Sequence, residues 1–298
     1  MKIRYYLHNL FNCRIGQEIS YLSVLGKPVE RLFFDSLISL DDIYKHVFLE
    51  NKKTWQFKLP VNKHTFRYLG VEREVRQYNN IDDAIKDLNI LFTIYGTVFI
   101  WCDAFYLPRK RSEHGKHSVM LHSLEGYQKA LIQDYEPYYY GYIPYEVFRI
   151  AFESVSNTQV TVFNKVSLYN DLESLIFIKE KYKEFLTGVS QNYEMFDLII
   201  DNTQVVLENE NLLKCYDQAL PLLSGSRYLF AKFHEQVLGS PTNSTIVELL
   251  MSNYRESLII KNILLKYSFT RKIDLNGLKT RVISLCNNEK KLLNILLN

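Results

Sequence analysis

The segment from Thr97 to Asp134 limits the fold more than any other. It opens with TVFIWCD (Thr97 to Asp103), a β-branched and aromatic run that reads as a buried strand at the centre of a sheet. Two shorter strands follow, HSVMLH (His117 to His122) and KALIQD (Lys129 to Asp134), and SLEGYQ between them carries a turn glycine at Gly126. If they pair antiparallel in simple register, positions summing to 251 face each other, which sets His122 against Lys129 and His117 against Asp134. Directly opposed residues hold their Cβ atoms about 4.5 to 5.5 Å apart. A carboxylate there accepts from one imidazole nitrogen, fixes the tautomer and leaves the other nitrogen as a base.

The nucleophile that such a base would serve is offered by Cys13. A helix is expected to begin there, because Ile15, Ile19 and Leu22 mark one face and Gly26 with Pro28 ends it near Leu25. In a first helical turn, unpaired amides and the positive end of the dipole favour a thiolate. The same amides can hold an oxyanion, with His8 or Asn12 as side-chain donors. Simple burial of a small hydrophobe is the alternative reading of Cys13.

Around this core the pattern predicts a strand over 71–77, an amphipathic helix over 81–95 opened by Asp82 and Asp83 and closed by Gly96, and further helix over 147–152. Residues 106–116 form a polar loop with Arg109, Lys110, Arg111 and Lys116, either a solvated surface or a dock for an acidic partner. Residues 136–145 (EPYYYGYIPY) read as a tyrosine-rich loop suited to a pocket wall or to packing. Asn157 to Val166 reads as a loop or short strand marking an internal boundary. Helical signals follow it: Asn170 with Glu173 as a cap, a stripe through Leu175, Ile176, Tyr182 and Phe185, and a second start at Thr245 and Glu248. The expected organisation is α+β, with a catalytic domain over 1–160 and a helical subdomain over 161–298 that covers the active site.

Composition narrows the class. Thirty-six basic against 33 acidic residues leave a net charge of +3, too small a footprint for nucleic acid. Four scattered cysteines lack metal-ligand spacing and disulfide density, which suits a reducing, cytoplasmic setting. His114, His117, His122 and Cys102 make a poor metal set, since strand alternation points His117 and His122 to opposite sides. No signal peptide is read, because His8, Asn9 and Asn12 interrupt the apolar start. No membrane span is read either, since the most apolar run, Leu91 to Cys102, falls well short of the roughly 20 residues needed.

Cys13 heading a helix, the stretch GTVFIWCDAFYLP (Gly96 to Pro108), His117 leading HSVMLHSLEGY and the following Asp134 resemble the N-terminal domain of the BtrH proteins of butirosin biosynthesis. The resemblance covers roughly residues 1–155. It implies a papain-like cysteine-protease fold, akin to the bacteriocin-processing peptidases, in which Cys13 is nucleophile, His117 general base and Asp134 the orienting acid. It departs from those peptidases upstream of the cysteine, where they carry a glutamine for the oxyanion and this chain has leucine, histidine and asparagine, and in the longer turn after His117, which keeps His122 as a rival base. It further implies amide formation in antibiotic biosynthesis: an acyl group on the phosphopantetheine thioester of an acyl or peptidyl carrier protein passes through an acyl-cysteine to a small amine. A similar homologue in closthioamide biosynthesis uses a diamine. No bound cofactor is implied. Hydrolysis of a peptide or thioester is the competing activity for the same residues, and a binding module without an activated thiol is a third.

Overall fold

The computed structural model describes residues 13–57, 65–108, 113–135, 138–156, 158–166, 170–239 and 243–297. The fold is α+β: a six-stranded antiparallel sheet with three flanking helices in one part of the chain, and helices in the C-terminal part. The chain divides into two units, one of residues 1–6, 11–29 and 63–169, the other of 7–10, 30–62 and 170–298.

In the first unit, helix α1 spans Cys13–Val24. Strand β1 (Val71–Tyr78) pairs with β6 (Thr158–Lys165), β6 with β2 (Val98–Asp103), β2 with β3 (Lys116–Glu125), β3 with β4 (Lys129–Tyr135) and β4 with β5 (Tyr138–Pro144). Alternation divides the sheet. Val98, Ile100, Cys102, Val119, Leu121, Ala130, Ile132 and Val160 face a core completed by two helices. The first is Ile81–Tyr95, the second Tyr145–Glu153. The first of them ends as the sequence predicts: Gly96 takes φ +68° and its N–H caps the Phe92 carbonyl at 2.8 Å, a left-handed position that glycine fills without strain. The opposite face, through Phe99, Trp101, Ser118 and Thr161, receives α1.

One expectation about this unit is corrected and one is narrowed. Residues 138–144 are not loop but the edge strand β5, and its tyrosines alternate between exposed Tyr138, Tyr140 and Tyr142 and the half-buried Tyr139 at the rim of the core. Glu136 and Pro137 lie outside the described residues. Of the two readings of the stretch after Asn157, loop or short strand, the strand holds: β6 runs for eight residues and bridges β1 and β2. Tyrosine and β-branched residues suit a pleated surface, and the intervening Gly141 and Pro144 are tolerated because β5 is an edge.

In the second unit, the four-residue helix α2 (Leu40–Ile43) is labelled in chain order after α1, the two sheet helices above become α3 and α4, and α5 (Asp171–Thr187), α6 (Glu194–Glu208), α7 (Glu210–Phe233), α8 (Asn243–Thr270) and α9 (Leu275–Leu297) follow. The Asn170–Glu173 capping box forms as read. At the centre of this unit the Arg227 guanidinium on α7 meets the Glu289 carboxylate on α9 at 2.7 Å, both fully buried. Asn253 on α8 donates to the same carboxylate at 2.9 Å, and Arg227 also donates to the Ile38 carbonyl.

Candidate active site

The β3–β4 hairpin positions the site, in a register other than the simple one. The turn is short: Glu125 pairs with Lys129 around Gly126, whose φ is +54°, so β3 runs three residues further than HSVMLH. A bulge at His122 then shifts the pairing by one, and Met120 faces Gln133. His117 is therefore not directly opposite Asp134, and His122 is not opposite Lys129. In the register set by Met120, Asp134 falls two residues along from the position facing His117. A displacement of two keeps both side chains on one face, where a displacement of one would have separated them. The diagonal is spanned: His117 Nε2 lies 2.7 Å from Asp134 Oδ1, with both residues almost fully buried.

Cys13 completes the cluster. The described β3–β4 pairing starts at Met120, which leaves the β4-facing side of Ser118 open, and the first turn of α1 occupies it. The Cys13 thiol hydrogen-bonds the His117 ring and receives the Ser118 backbone N–H. Since Nε2 is engaged by Asp134, Nδ1 is the ring nitrogen left for the thiol. Burial alone would push the Cys13 thiol up, but the hydrogen bond and positive charge of His117 outweigh it and hold the thiol below its usual 9.0. Burial likewise works against an imidazolium at His117, and the bonds to Asp134 and Cys13 reverse that, lifting it to about 9. Near neutral pH His117 is thus an imidazolium, and its charge biases the adjoining thiol towards the thiolate.

His122, the rival base, is elsewhere engaged. Its Nδ1 lies 2.8 Å from the Thr97 hydroxyl and its Nε2 3.2 Å from Gln133 Oε1, and burial holds its pKa down at about 4, so it is neutral. His114 is bound to Asp103 at 2.7 Å, Asp103 also accepts from the Phe105 and Gly115 amides, and the group latches the loop after β2. Cys102 donates to the His117 carbonyl, and burial raises its thiol well above the usual value, which makes it a packing residue. No three metal-ligating side chains gather among the described residues. No helix among them is long and apolar enough to cross a membrane. His8, Asn12 and the basic positions Arg109, Lys110 and Arg111 lie outside the described residues, while Lys116 rests its ammonium 4.9 Å from the centre of the Trp101 ring.

No family model matches the chain. Over 296 residues, 95% of this chain and 94% of the relative, it is 28% identical to a protein of Niallia circulans described as ribostamycin:4-(gamma-L-glutamylamino)-(S)-2-hydroxybutanoyl-[BtrI acyl-carrier protein] 4-(gamma-L-glutamylamino)-(S)-2-hydroxybutanoate transferase. This chain is similar to that transferase along almost its whole length. The similarity extends beyond residue 155, where the recognisable motifs stop, and takes in the helical part of the chain as well.

The polar residues behind Cys13 carry the least sequence signal. Arg14, Gln17 and Glu18 are buried, although each would be expected on a solvent-facing helix stripe. Arg14 bonds Ser118 and Thr161, Glu18 accepts the charges of Arg14 and Arg73 at 2.9 and 3.2 Å, and Gln17 grips Ser118. The visible hint is the Arg14–Glu18 spacing of four, which on an exposed helix is ordinary.

Proposed function

We propose that this protein is an acyltransferase that moves an acyl group from a carrier-protein thioester, through a Cys13 acyl-enzyme, onto a small amine, with His117 as acid and base and Asp134 orienting it. The observation that carries the proposal is the connected chain from thiol to imidazole to carboxylate, with a thiol held low and an imidazole held at about 9. The relative in Niallia circulans, a transferase acting on a donor bound to an acyl-carrier protein and on ribostamycin as acceptor, supports the same direction. A papain-like arrangement, a nucleophile at a helix start against an antiparallel sheet bearing the histidine, is part of this reading.

The chemistry follows from the charges. The Cys13 thiolate attacks the thioester carbonyl, and the developing oxyanion lies near the amides of the first turn of α1. Collapse expels the phosphopantetheine thiolate, which takes its proton from the His117 imidazolium. The imidazole is then neutral and accepts a proton from the incoming amine as nitrogen bonds to the acyl carbon. Breaking the acyl–sulfur bond releases the amide and restores thiolate and imidazolium. Asp134 keeps Nε2 bonded throughout, so Nδ1 faces the reacting atoms. The pantetheine arm belongs to the donor protein, and no bound cofactor enters the scheme.

Intact-mass measurement with an acylated carrier protein tests the proposal. A mass increase equal to the acyl group is expected on the wild-type chain, absent in Cys13→Ala and discharged faster by amines than by water. An adduct discharged at the same rate with and without amine would instead mean a thioesterase or peptidase, and no adduct on the folded protein would leave a binding module.

A further inference from the structure

We propose that Gln17 is a positioning residue for the Cys13–His117 pair, acting through Ser118. The proposal rests on the acyltransferase reading and adds a residue that touches neither substrate nor the reacting atoms.

Ser118 follows His117 directly, so whatever fixes its peptide fixes the start of the base's own backbone. Every polar group of Ser118 is directed at α1. Its N–H reaches the Cys13 sulfur. Its carbonyl accepts from Gln17 Nε2 at 2.6 Å, its hydroxyl donates to Gln17 Oε1 at 2.9 Å, and the same hydroxyl accepts from Arg14 Nη1 at 2.9 Å. Positions 13, 14 and 17 lie on one side of a helix, so the helix presents thiol, guanidinium and amide to a single strand residue. Ser118 and Gln17 are both fully buried, and no water competes for these bonds.

The amide of Gln17 is matched to this task. It supplies one donor and one acceptor on a rigid fork, and Ser118 offers one acceptor and one donor two bonds from its own Cα. A strand residue beyond the end of the described β3–β4 pairing would otherwise leave its carbonyl unpaired in the interior, which costs stability and invites the strand end to move. Gln17 closes that gap from the helix side. It thereby ties the first turn of α1, with Cys13, to the β3 backbone at His117, and a displacement of even a fraction of an ångström in either would weaken the contact that lowers the thiol's pKa. Arg14 shares the load, but its guanidinium is also committed to Glu18 and Thr161, so Gln17 is the member whose bonds go to Ser118 alone among those described.

The test uses the full-length protein with Gln17→Met, which keeps the volume and removes both bonds, and Gln17→Glu, which keeps the acceptor and removes the donor. The readouts are the pH dependence of Cys13 alkylation by iodoacetamide, and kcat against KM for acyl transfer. Both variants are expected to move the acidic limb of alkylation up by about one pH unit, a rate loss of about tenfold at pH 7, and to lower kcat while KM stays within about twofold. A folded Gln17→Met protein with the wild-type alkylation profile overturns the proposal. So does failure of both variants to fold, since Gln17 would then be a residue of the fold and not of the pair. If the wild-type thiol itself titrates near 9.0 and Cys13→Ala still transfers acyl groups, the acyltransferase mechanism falls and the positioning role with it.

Discussion

Replacing Asp134 by asparagine removes one negative charge and keeps the shape, and the structure states what should follow. His117 stands at about 9 against an ordinary 6.5. At about 1.36 kcal/mol per pH unit, that elevation is worth about 3 kcal/mol in favour of the imidazolium, and Asp134 is its strongest support. Without the carboxylate, burial draws the imidazole down and the positive charge beside Cys13 fades near pH 7. Asp134 also repels the thiolate directly, so its removal has an opposing effect on Cys13. That repulsion ranks below both contributions of His117, and the loss of the imidazolium wins. Alkylation of Cys13, followed by intact mass across pH 5 to 10 with Cys13→Ala as the blank, is expected to show the acidic limb of Asp134→Asn moved up by one to two pH units and the rate at pH 7 lowered about 10- to 100-fold. An unchanged profile would refute the claim that the carboxylate charges the imidazole and the imidazole charges the thiol.

Two further outcomes come from buried groups away from the reaction. His122 is held near 4 while the unfolded chain titrates near 6.5, so its stabilising share is complete above about pH 6.5 and is lost as pH falls towards 4, because the unfolded state binds the proton more readily. In His122→Gln the decline of the urea midpoint between pH 6.5 and 4 should be shallower, by at most about 3 kcal/mol across the window; an identical decline would remove His122 from the acid response. Glu289→Gln leaves the Arg227 guanidinium buried without its counter-charge and should cost about 3 to 5 kcal/mol, read as a lowered denaturant midpoint. A midpoint equal to wild type would mean that the pair is not a determinant of the helical unit's stability.

The fold was readable where local pattern and tertiary environment agree. Helix α3 with its Gly96 stop, the central strand β2 and the start of α1 at Cys13 stand as their periodicity and end signals indicate. Strand β5 read as loop and β6 as either loop or short strand, because glycine, proline and polar residues dilute the alternation and the neighbours in the sheet decide it. The pairing of His117 with Asp134 was argued from a register that does not exist: a shorter turn and a bulge displace the strands by two, and the contact survives because an even displacement preserves the face.

From its residues alone the chain determined which chemistry-bearing types lie on which elements: a cysteine at a helix start, a histidine opening one strand, an aspartate closing the next. Periodicity and end signals are local, and they carry that much. Tertiary structure decided the rest, namely the opening between β3 and β4 at Ser118 into which the helix start fits, the choice of His117 over His122 as the thiol's partner, and the burial of Arg14, Gln17 and Glu18 behind it. Those depend on which groups exclude water from one another, and that is set by segments 100 or more residues apart in the chain.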